Sequence, residues 1–382
     1  MVIHTVQPGD SIYTIAQKYQ VSSQRLIDDN ALQDLPYLVP GQALVVDNSQ
    51  NQATAPKLGT IEVNGYIFPH IDDDTLRRIL PHLTYISIFS YQITADGNLV
   101  EIQDQKIIDT ARAQRVAPLM VVTNIESGGG FDSDLAQSVL NSEAAQSRLI
   151  ENILRILPKG YSGLNIDFEY VYPEDREKYN RFITKVVEAL HPLGYSVSTA
   201  LAPKTSAEQV GLLYQGHDYS FHGPNVDHVI LMTYEWGYTR GPAQAVAPLN
   251  KVEQVILYAV SVIPSEKILM GIPNYGYDWT LPYMPGSTAR SLSNTEAVAL
   301  AARVGSNIRF DETAQSPFFY YYGANGRQHL VWFEDARSIA AKLKLVDTYK
   351  LGGISYLTLN KFFPQSWVVL ESMYKVKKVL EQ

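Results

Sequence analysis

The 382-residue sequence contains no cysteine. Disulfides and thiolate metal sites are therefore excluded, although the compartment stays open. No run of about 18 apolar residues occurs, so no transmembrane helix and no membrane partner is expected. The opening MVIHTVQPGD has neither a basic n-region nor an apolar h-region. No secretory signal peptide is expected from it, nor export by the usual route. Positive charge is also in deficit: 39 acidic residues against 31 lysines and arginines give a net charge of −8. That balance argues against an electrostatic nucleic-acid binder. The eight histidines show no HExxH or comparable ligand spacing, so neither a metal nor a cofactor is expected.

What is present is enough chain for a barrel of about 250 residues plus something smaller. A hydrophobic content of 46% supports a large core. The stretch DNSQNQATAPK at 47–57 is polar and nearly free of large apolar residues, the composition of a linker. It divides the chain into a module over 1–47, a linker over 48–58 and a large domain over 59–382. The module reads as a short strand at 3–6, a PGDS turn and a helix over IYTIAQKYQ. In that helix Ile12, Ile15, Ala16 and Tyr19 share one face, and Asp10 or Ser11 is placed to cap it. A second helix follows at SSQRLIDDNAL, and LVPGQALVV supplies a turn and a closing strand. This β-α-α-β unit is small enough to have a marginal core.

Along its whole length, through HTVQPGDSIYTIAQKY, LIDDNAL and LVPGQALVV, the module resembles a LysM domain. The resemblance implies binding of N-acetylglucosamine-containing glycans such as peptidoglycan or chitin. It places the groove between Gly9, Asp10, Ser11 and Ile12 on one side and Leu38, Val39 and Pro40 on the other.

In the large domain, apolar strand candidates alternate with helical patterns: IEVNGYIF, TYISIFSY, APLMVVTN, GLNIDFEY, YSVSTALA, DHVILMTYE, KILMGIPNYG and LGGISYLTL. Among the helices, PEDREKYNRFITKVVEALH carries Pro173 at its first turn. Eight such strands predict an α/β fold of the (β/α)8 TIM-barrel type. The longest interval separates the seventh and eighth strands. Within it, GANG between β-rich runs predicts a hairpin, so a small α+β insertion is expected at about 280–345 beside the active-site face, with Trp332 in its core.

The fourth strand, in YSGLNIDFEY at 161–170, carries the chemistry. Leu164, Ile166 and Phe168 alternate with Asn165, Asp167 and Glu169, so the three polar groups share one face. Catalytic groups gather at the C-terminal ends of barrel strands, where Asp167 and Glu169 lie. Two residues along a strand span about 6.6 Å, close enough for the carboxylates to interact. Like charges near an apolar wall raise at least one pKa and can hold a proton near neutral pH. A protonated carboxylic acid is what glycosidic cleavage requires for the leaving oxygen.

Residues from about 60 to 380 resemble glycoside hydrolase family 18, the chitinase-like barrels. Their fourth-strand motif Asp-x-x-Asp-x-Asp-x-Glu is matched by SGLNIDFE at 162–169, with Ser162 and Asn165 in place of the first two aspartates. The resemblance implies Glu169 as general acid and then base, with the substrate's own 2-acetamido oxygen as nucleophile. Asp167 would orient that acetamido group, and Asn165 would hydrogen-bond Asp167 without sharing a proton. The MTYE at 232–235 resembles the sixth-strand Met-x-Tyr-Asp motif, implying that Tyr234 donates to the acetamido oxygen and that Glu235 contacts a sugar hydroxyl. ESGG at 126–129 resembles the family's third-strand Ser-x-Gly-Gly. Tyr66 and Phe89 occupy positions of pocket aromatics. At the end of the eighth strand Leu357 stands where the family usually has a tryptophan floor. Leucine gives a smaller, unoriented surface, and Tyr356 is the adjacent aromatic that could replace it.

Within the family the likeness is to spore cortex-lytic N-acetylglucosaminidases of Bacillus type, through GLNIDFE, MTYEWGYTRGP, MGIPNYGYDWTLP and GGISY. This implies Asn274, Tyr275, Tyr277, Trp279 and Trp236 as further substrate-binding residues. It implies peptidoglycan as partner and substrate, and assembly onto a spore from the surrounding mother cell. The alternatives are a chitinase of the same mechanism, or a non-catalytic wall-binding or spore-coat protein suggested by Ser162, Asn165 and Leu357.

Overall fold

The computed structural model describes residues 1–48, 56–126 and 128–381. Most of the expected linker, and Ser127 of the ESGG stretch, lie outside the described residues. Eight parallel strands close into a barrel: Gly59–Ile67, Tyr85–Ile93, Ala117–Thr123, Gly163–Asp167, Ser196–Leu201, His228–Leu231, Ile268–Pro273 and Gly353–Leu357. The last pairs in register with the first, Gly353 opposite Glu62 and Tyr356 opposite Gly65, so the sheet has no free edge there. All eight coincide with segments that the sequence marked as strands, although the first begins earlier, at Gly59, and the second runs on to Ile93.

Such strands are covered on both faces, which is why Ala117–Thr123 can read APLMVVT and be buried at every position. Residues facing the helices merge into one large core, while part of the barrel interior is polar. There Asn64 donates to Ser355 at 2.9 Å and accepts from Ser87 at 2.9 Å. Buried polar groups are tolerated inside only because they find each other in this way.

The insertion between the seventh and eighth strands is a five-stranded antiparallel sheet in the order Arg290–Leu292, Gly276–Thr280, Gln328–Trp332, Ser316–Tyr322, Arg309–Asp311. It starts at Gly276 and ends at Trp332. The following helix, Ala336–Tyr349, packs in the barrel's own helical layer, against Leu249–Val262 and Pro364–Met373. The GANG stretch turns the hairpin that pairs Tyr322 with Gln328, and Trp332 stacks on Phe318 at 4.5 Å. Helix Asn294–Val304 completes the insertion. Its start is fixed by a reciprocal capping box between Ser293 and Glu296.

The N-terminal module has the expected order: Val2–Thr5, Ile12–Tyr19, Ser23–Asn30 and Ala43–Val46, the two strands antiparallel. Ser11 caps the first helix, while Asp10 accepts hydrogen bonds from His4 at 2.9 Å and the Gln7 amide at 2.8 Å. The module does not stand apart from the barrel. Gln365, on helix Pro364–Met373, donates to Asn30 at 3.0 Å and to the Ala43 carbonyl at 2.8 Å. The Ile308 amide donates to the Pro40 carbonyl at 3.0 Å, Arg337 to the Gly41 carbonyl at 3.1 Å, and Tyr37 to the Ala302 carbonyl. Val39 is 1% exposed within the insertion's apolar cluster, against Ile308, Leu300 and Phe333.

Gly41 shows why this turn reads VPGQ. Its φ is +84°, and a Cβ there would lie 1.8 Å from the Ile308 carbonyl oxygen. Gly41→Ala should therefore cost about 2 kcal/mol through left-handed strain and loss of close approach. The expected outcome is a lower Tm together with faster amide exchange at Ala43–Val46 and at Ile308. A Tm drop without the exchange change at Ile308 would show that the module and insertion are not coupled there.

Candidate active site

The carboxyl ends of the strands open into a cleft of about 1030 Å³. On the fourth strand the outward residues pack the core: Phe168 stacks on Tyr179 at 5.8 Å and Phe182 at 6.0 Å. The inward residues Asn165 and Asp167 therefore face the barrel axis, and Glu169 follows at the mouth. Asp167 and Glu169 both line the cleft. Asp167 is 4% exposed, and its Oδ1 is buried without a hydrogen-bond partner. Burial pushes the Asp167 carboxyl up. Burial first, then the charges of Asp167 and Glu235, push Glu169 well above the usual carboxylate range. No cation contributes to either shift, so the pair retains protons at pH values where an ordinary carboxylate has lost them.

Asn165 does not bond Asp167. Its Oδ1 accepts from the Tyr66 hydroxyl at 2.8 Å and its Nδ2 donates to Ser198 at 3.0 Å. An amide suits this place because it must accept on one side and donate on the other, which a carboxylate cannot do. Ser162 stands at the opposite end of the strand, its backbone bridging Pro118 and Ser196.

Two residues that sequence reasoning missed hold the catalytic end of this strand. Asn124 accepts from the Glu169 amide at 2.9 Å and donates to the Glu169 carbonyl at 2.8 Å. His217 accepts from the Ala202 amide at 2.9 Å and donates to the Phe168 carbonyl at 2.7 Å. Burial lowers the His217 pKa to about 4, so it remains the neutral tautomer that this pairing needs. Asn124 ends the segment APLMVVTN and was legible as a strand end. Nothing in the local sequence marks His217.

Tyr234 and Glu235 reach the cleft from the loop after the sixth strand. Glu235 accepts from Tyr275, and from Tyr277 at 2.9 Å, while the surrounding walls raise its pKa. Tyr66, Phe89, Trp236, Tyr275 and Tyr277 line the cleft as expected. Asn274 lines it too, but its amide donates to the carbonyls of Thr358 and Lys361, both at 2.9 Å, and so holds a loop. Trp279 does not reach the surface: it is 2% exposed and donates to the Gly241 carbonyl inside the wall. Tyr356 is 1% exposed and faces outward, edge-on to Trp367, so it cannot replace a floor tryptophan. Leu357 does line the cleft, beside Phe89 and above Tyr66. Phe68, Phe131, Tyr170, Tyr214 and Tyr238 add aromatic surface that the sequence did not single out.

In the N-terminal module, one side of the expected groove is covered by the barrel. Val39 is buried in the insertion, and the Pro40 carbonyl is bonded to Ile308. Leu38 packs into the module's own core. Gly9 and Ser11 remain exposed, with Asp10 and Ile12 half-buried beside them.

A parallel barrel with this insertion and paired raised carboxyls at the end of its fourth strand defines a glycoside hydrolase. The chain belongs to the glycosyl hydrolases family 18, whose model matches residues 62–361, and its N-terminus matches the LysM domain over residues 4–47. It is 40% identical to the cortical fragment-lytic enzyme of Bacillus subtilis over 429 aligned positions, covering 99% of each chain. Its structure is similar to that of the spore cortex-lytic enzyme SleL of Bacillus cereus, with a TM-score of 0.92, 37% identity and 99% of each chain covered. A chitinase from Chromobacterium violaceum matches at TM-score 0.77 and 29% identity, over 82% of this chain and 98% of that one. Membership of this family, together with likeness over the full length to lytic enzymes, sets aside the non-catalytic alternative.

The electrostatics give a signed expectation for pH. If activity requires the proton on Glu169, the alkaline limb of kcat/KM marks its loss. The Asp167 charge raises the Glu169 pKa, so Asp167→Asn should move that limb to lower pH while reducing the rate on the order of 10²-fold. A pH–rate profile of wild type and variant checks this, and a limb that stays in place or moves up contradicts it.

Proposed function

We propose that this enzyme hydrolyses peptidoglycan glycan strands after N-acetylglucosamine, with retention of configuration, in spore cortex during germination. The names of its relatives support cortex as the substrate, and the two matched families support an N-acetylglucosamine-containing glycan. Association with the spore cortex or wall follows from the same reading, with assembly from the mother cell.

The observation that carries the mechanism is the buried, unpartnered Oδ1 of Asp167 beside a carboxyl held protonated. An unpartnered buried acceptor is costly unless a ligand supplies the donor. The N–H of a 2-acetamido group is such a donor. With it bound, the acetamido oxygen attacks the anomeric carbon as Glu169 gives its proton to the leaving oxygen. The glycosidic bond breaks, and the positive charge on the resulting oxazolinium is stabilised by Asp167. Tyr234, whose hydroxyl has no protein partner among the described residues, donates to the acetamido oxygen. Glu169, now a carboxylate, takes a proton from water, which opens the oxazolinium and restores the original configuration. Charge on Asp167 and proton on Glu169 reinforce each other, which is why neither acid is neutralised by a nearby base.

The LysM module joins this function as a fixed part of the enzyme. A module on a loose tether raises local substrate concentration in proportion to its reach. Here its position is set by the docking at Val39 and Gln365, so the exposed side at Gly9, Asp10, Ser11 and Ile12 would present glycan at a constant distance from the cleft. A chitinase of the same mechanism is the second reading, supported by the likeness to the Chromobacterium violaceum enzyme.

Mass spectrometry of soluble cortex fragments decides between them. Wild type is expected to give products with N-acetylglucosamine at the reducing end. Glu169→Gln should lower their yield by about 10²- to 10⁴-fold. Identical patterns from both proteins would reject Glu169 as the acid. Faster turnover of chitooligosaccharides than of muropeptides would favour the second reading.

A further inference from the structure

The cleft is acidic and aromatic. Asp167, Glu169, Glu235 and Glu296 line it, and among its lining residues Lys361 is the only cation. Its loop, after the eighth strand, is held on both flanks. Asn360 accepts from the Phe68 amide at 2.8 Å and donates to the Phe68 carbonyl at 3.2 Å, tying the loop to the first strand. Asn274 donates to the carbonyls of Thr358 and Lys361, tying it to the seventh. Against this fixed backbone Lys361 is exposed, and its ammonium has no hydrogen-bond or ion-pair partner among the described residues. The acid across from it, Glu296, is committed to the Ser293 amide at 2.7 Å in the capping box. Lys361 adds only a minor electrostatic pull on Glu296, behind the hydrogen bonds from Ser293.

A rigid loop that carries a free cation at the rim of an anionic cleft has no evident folding role. It would also weaken the raised pKa values of the catalytic acids if it stood close to them, and it contributes to neither. Its placement suits an anion brought by the substrate. Chitin offers none. Peptidoglycan does, because alternate sugars are muramic acid, whose lactyl ether carries a peptide stem ending in a carboxylate.

We propose that Lys361 is a specificity residue that pairs with the stem carboxylate on the sugar adjacent to the N-acetylglucosamine held by Asp167 and Glu169. This rests on the peptidoglycan reading above and sharpens it: the enzyme tells an anionic neighbouring sugar from a neutral one. Lysine serves here as a flexible point charge, which follows a stem that is itself mobile.

The test uses the full chain and a tetrasaccharide of alternating N-acetylglucosamine and N-acetylmuramic acid bearing alanyl stems, as the free acid and as its carboxamide. The measured quantity is the ratio of kcat/KM for acid over amide. Wild type should favour the acid, with the ratio falling as salt rises. Lys361→Met should reduce the ratio about tenfold, mainly through KM for the acid, and Lys361→Arg should keep it near the wild-type value. A ratio unmoved in Lys361→Met, including an equal loss on both substrates, overturns the assignment while leaving the peptidoglycan reading intact. Failure of wild type to cleave either tetrasaccharide, with chitotetraose still cleaved, overturns that reading and this assignment together.

Discussion

Asp167 ends the fourth strand and Glu169 follows two residues later, so any charge they carry is carried close together. Their pocket lowers the dielectric and brings no cation close enough to contribute, which makes double ionisation costly and keeps a proton on the pair. That costly arrangement must be held from outside, because burial and like charge both work against it. The surrounding contacts do this through the backbone. Asn124 brackets the Glu169 peptide, His217 holds the Phe168 carbonyl, and Asn165 fixes the strand sideways between Tyr66 and Ser198. None of these bonds touches the carboxyl groups, so the strand end is rigid while the acids stay free for substrate.

Much of this was legible in the sequence because period-two alternation fixes side-chain direction. GLNIDFE could hardly place Leu164, Ile166 and Phe168 anywhere but against the helices, which sends Asn165, Asp167 and Glu169 inward. On the fourth strand this rule misplaced nothing. It failed where a side chain's fate depends on a partner far along the chain. Trp279 alternates correctly with Tyr277, yet the distant Gly241 carbonyl takes its N–H into the wall. Tyr356 was read as a neighbour of the cleft, though one step along a strand reverses the face. His217 carries no local signal, since its role comes from Ala202 and Phe168, just past the ends of two different strands. For Asn165 the residue was noticed and its partner was not, because an amide's preference for one donor and one acceptor needs both neighbours to be known.

The LysM module shows the limit of reading turns as binding loops. VPGQ is the motif's glycan-side loop by resemblance, but here the same residues form an interface. Val39 fills the insertion's core, and Gly41 allows the backbone to approach Ile308. The insertion helix Asn294–Val304 therefore meets the LysM loop along its body, while Ser293 and Glu296 at its start line the catalytic cleft. One short helix thus connects both glycan-facing parts of the molecule, and its capping box fixes the end nearest the chemistry.

Leu357 also takes its meaning from that geometry. A floor tryptophan would orient a sugar by stacking on its apolar face. With leucine there, the aromatic surface nearby comes from Phe89, set edge-on to Phe68 at 5.5 Å and to Tyr66 at 6.2 Å. Rings held edge-on to one another offer a wall rather than a single platform, so stacking alone fixes the sugar plane less strictly. Orientation then falls to directional contacts, among them the free Oδ1 of Asp167 and the unpartnered hydroxyl of Tyr234. In the proposed mechanism both address the 2-acetamido group. A site without that platform would then depend more on the one substituent that the proposed mechanism also uses as nucleophile, so that recognition and reaction would be read from the same atoms of the substrate.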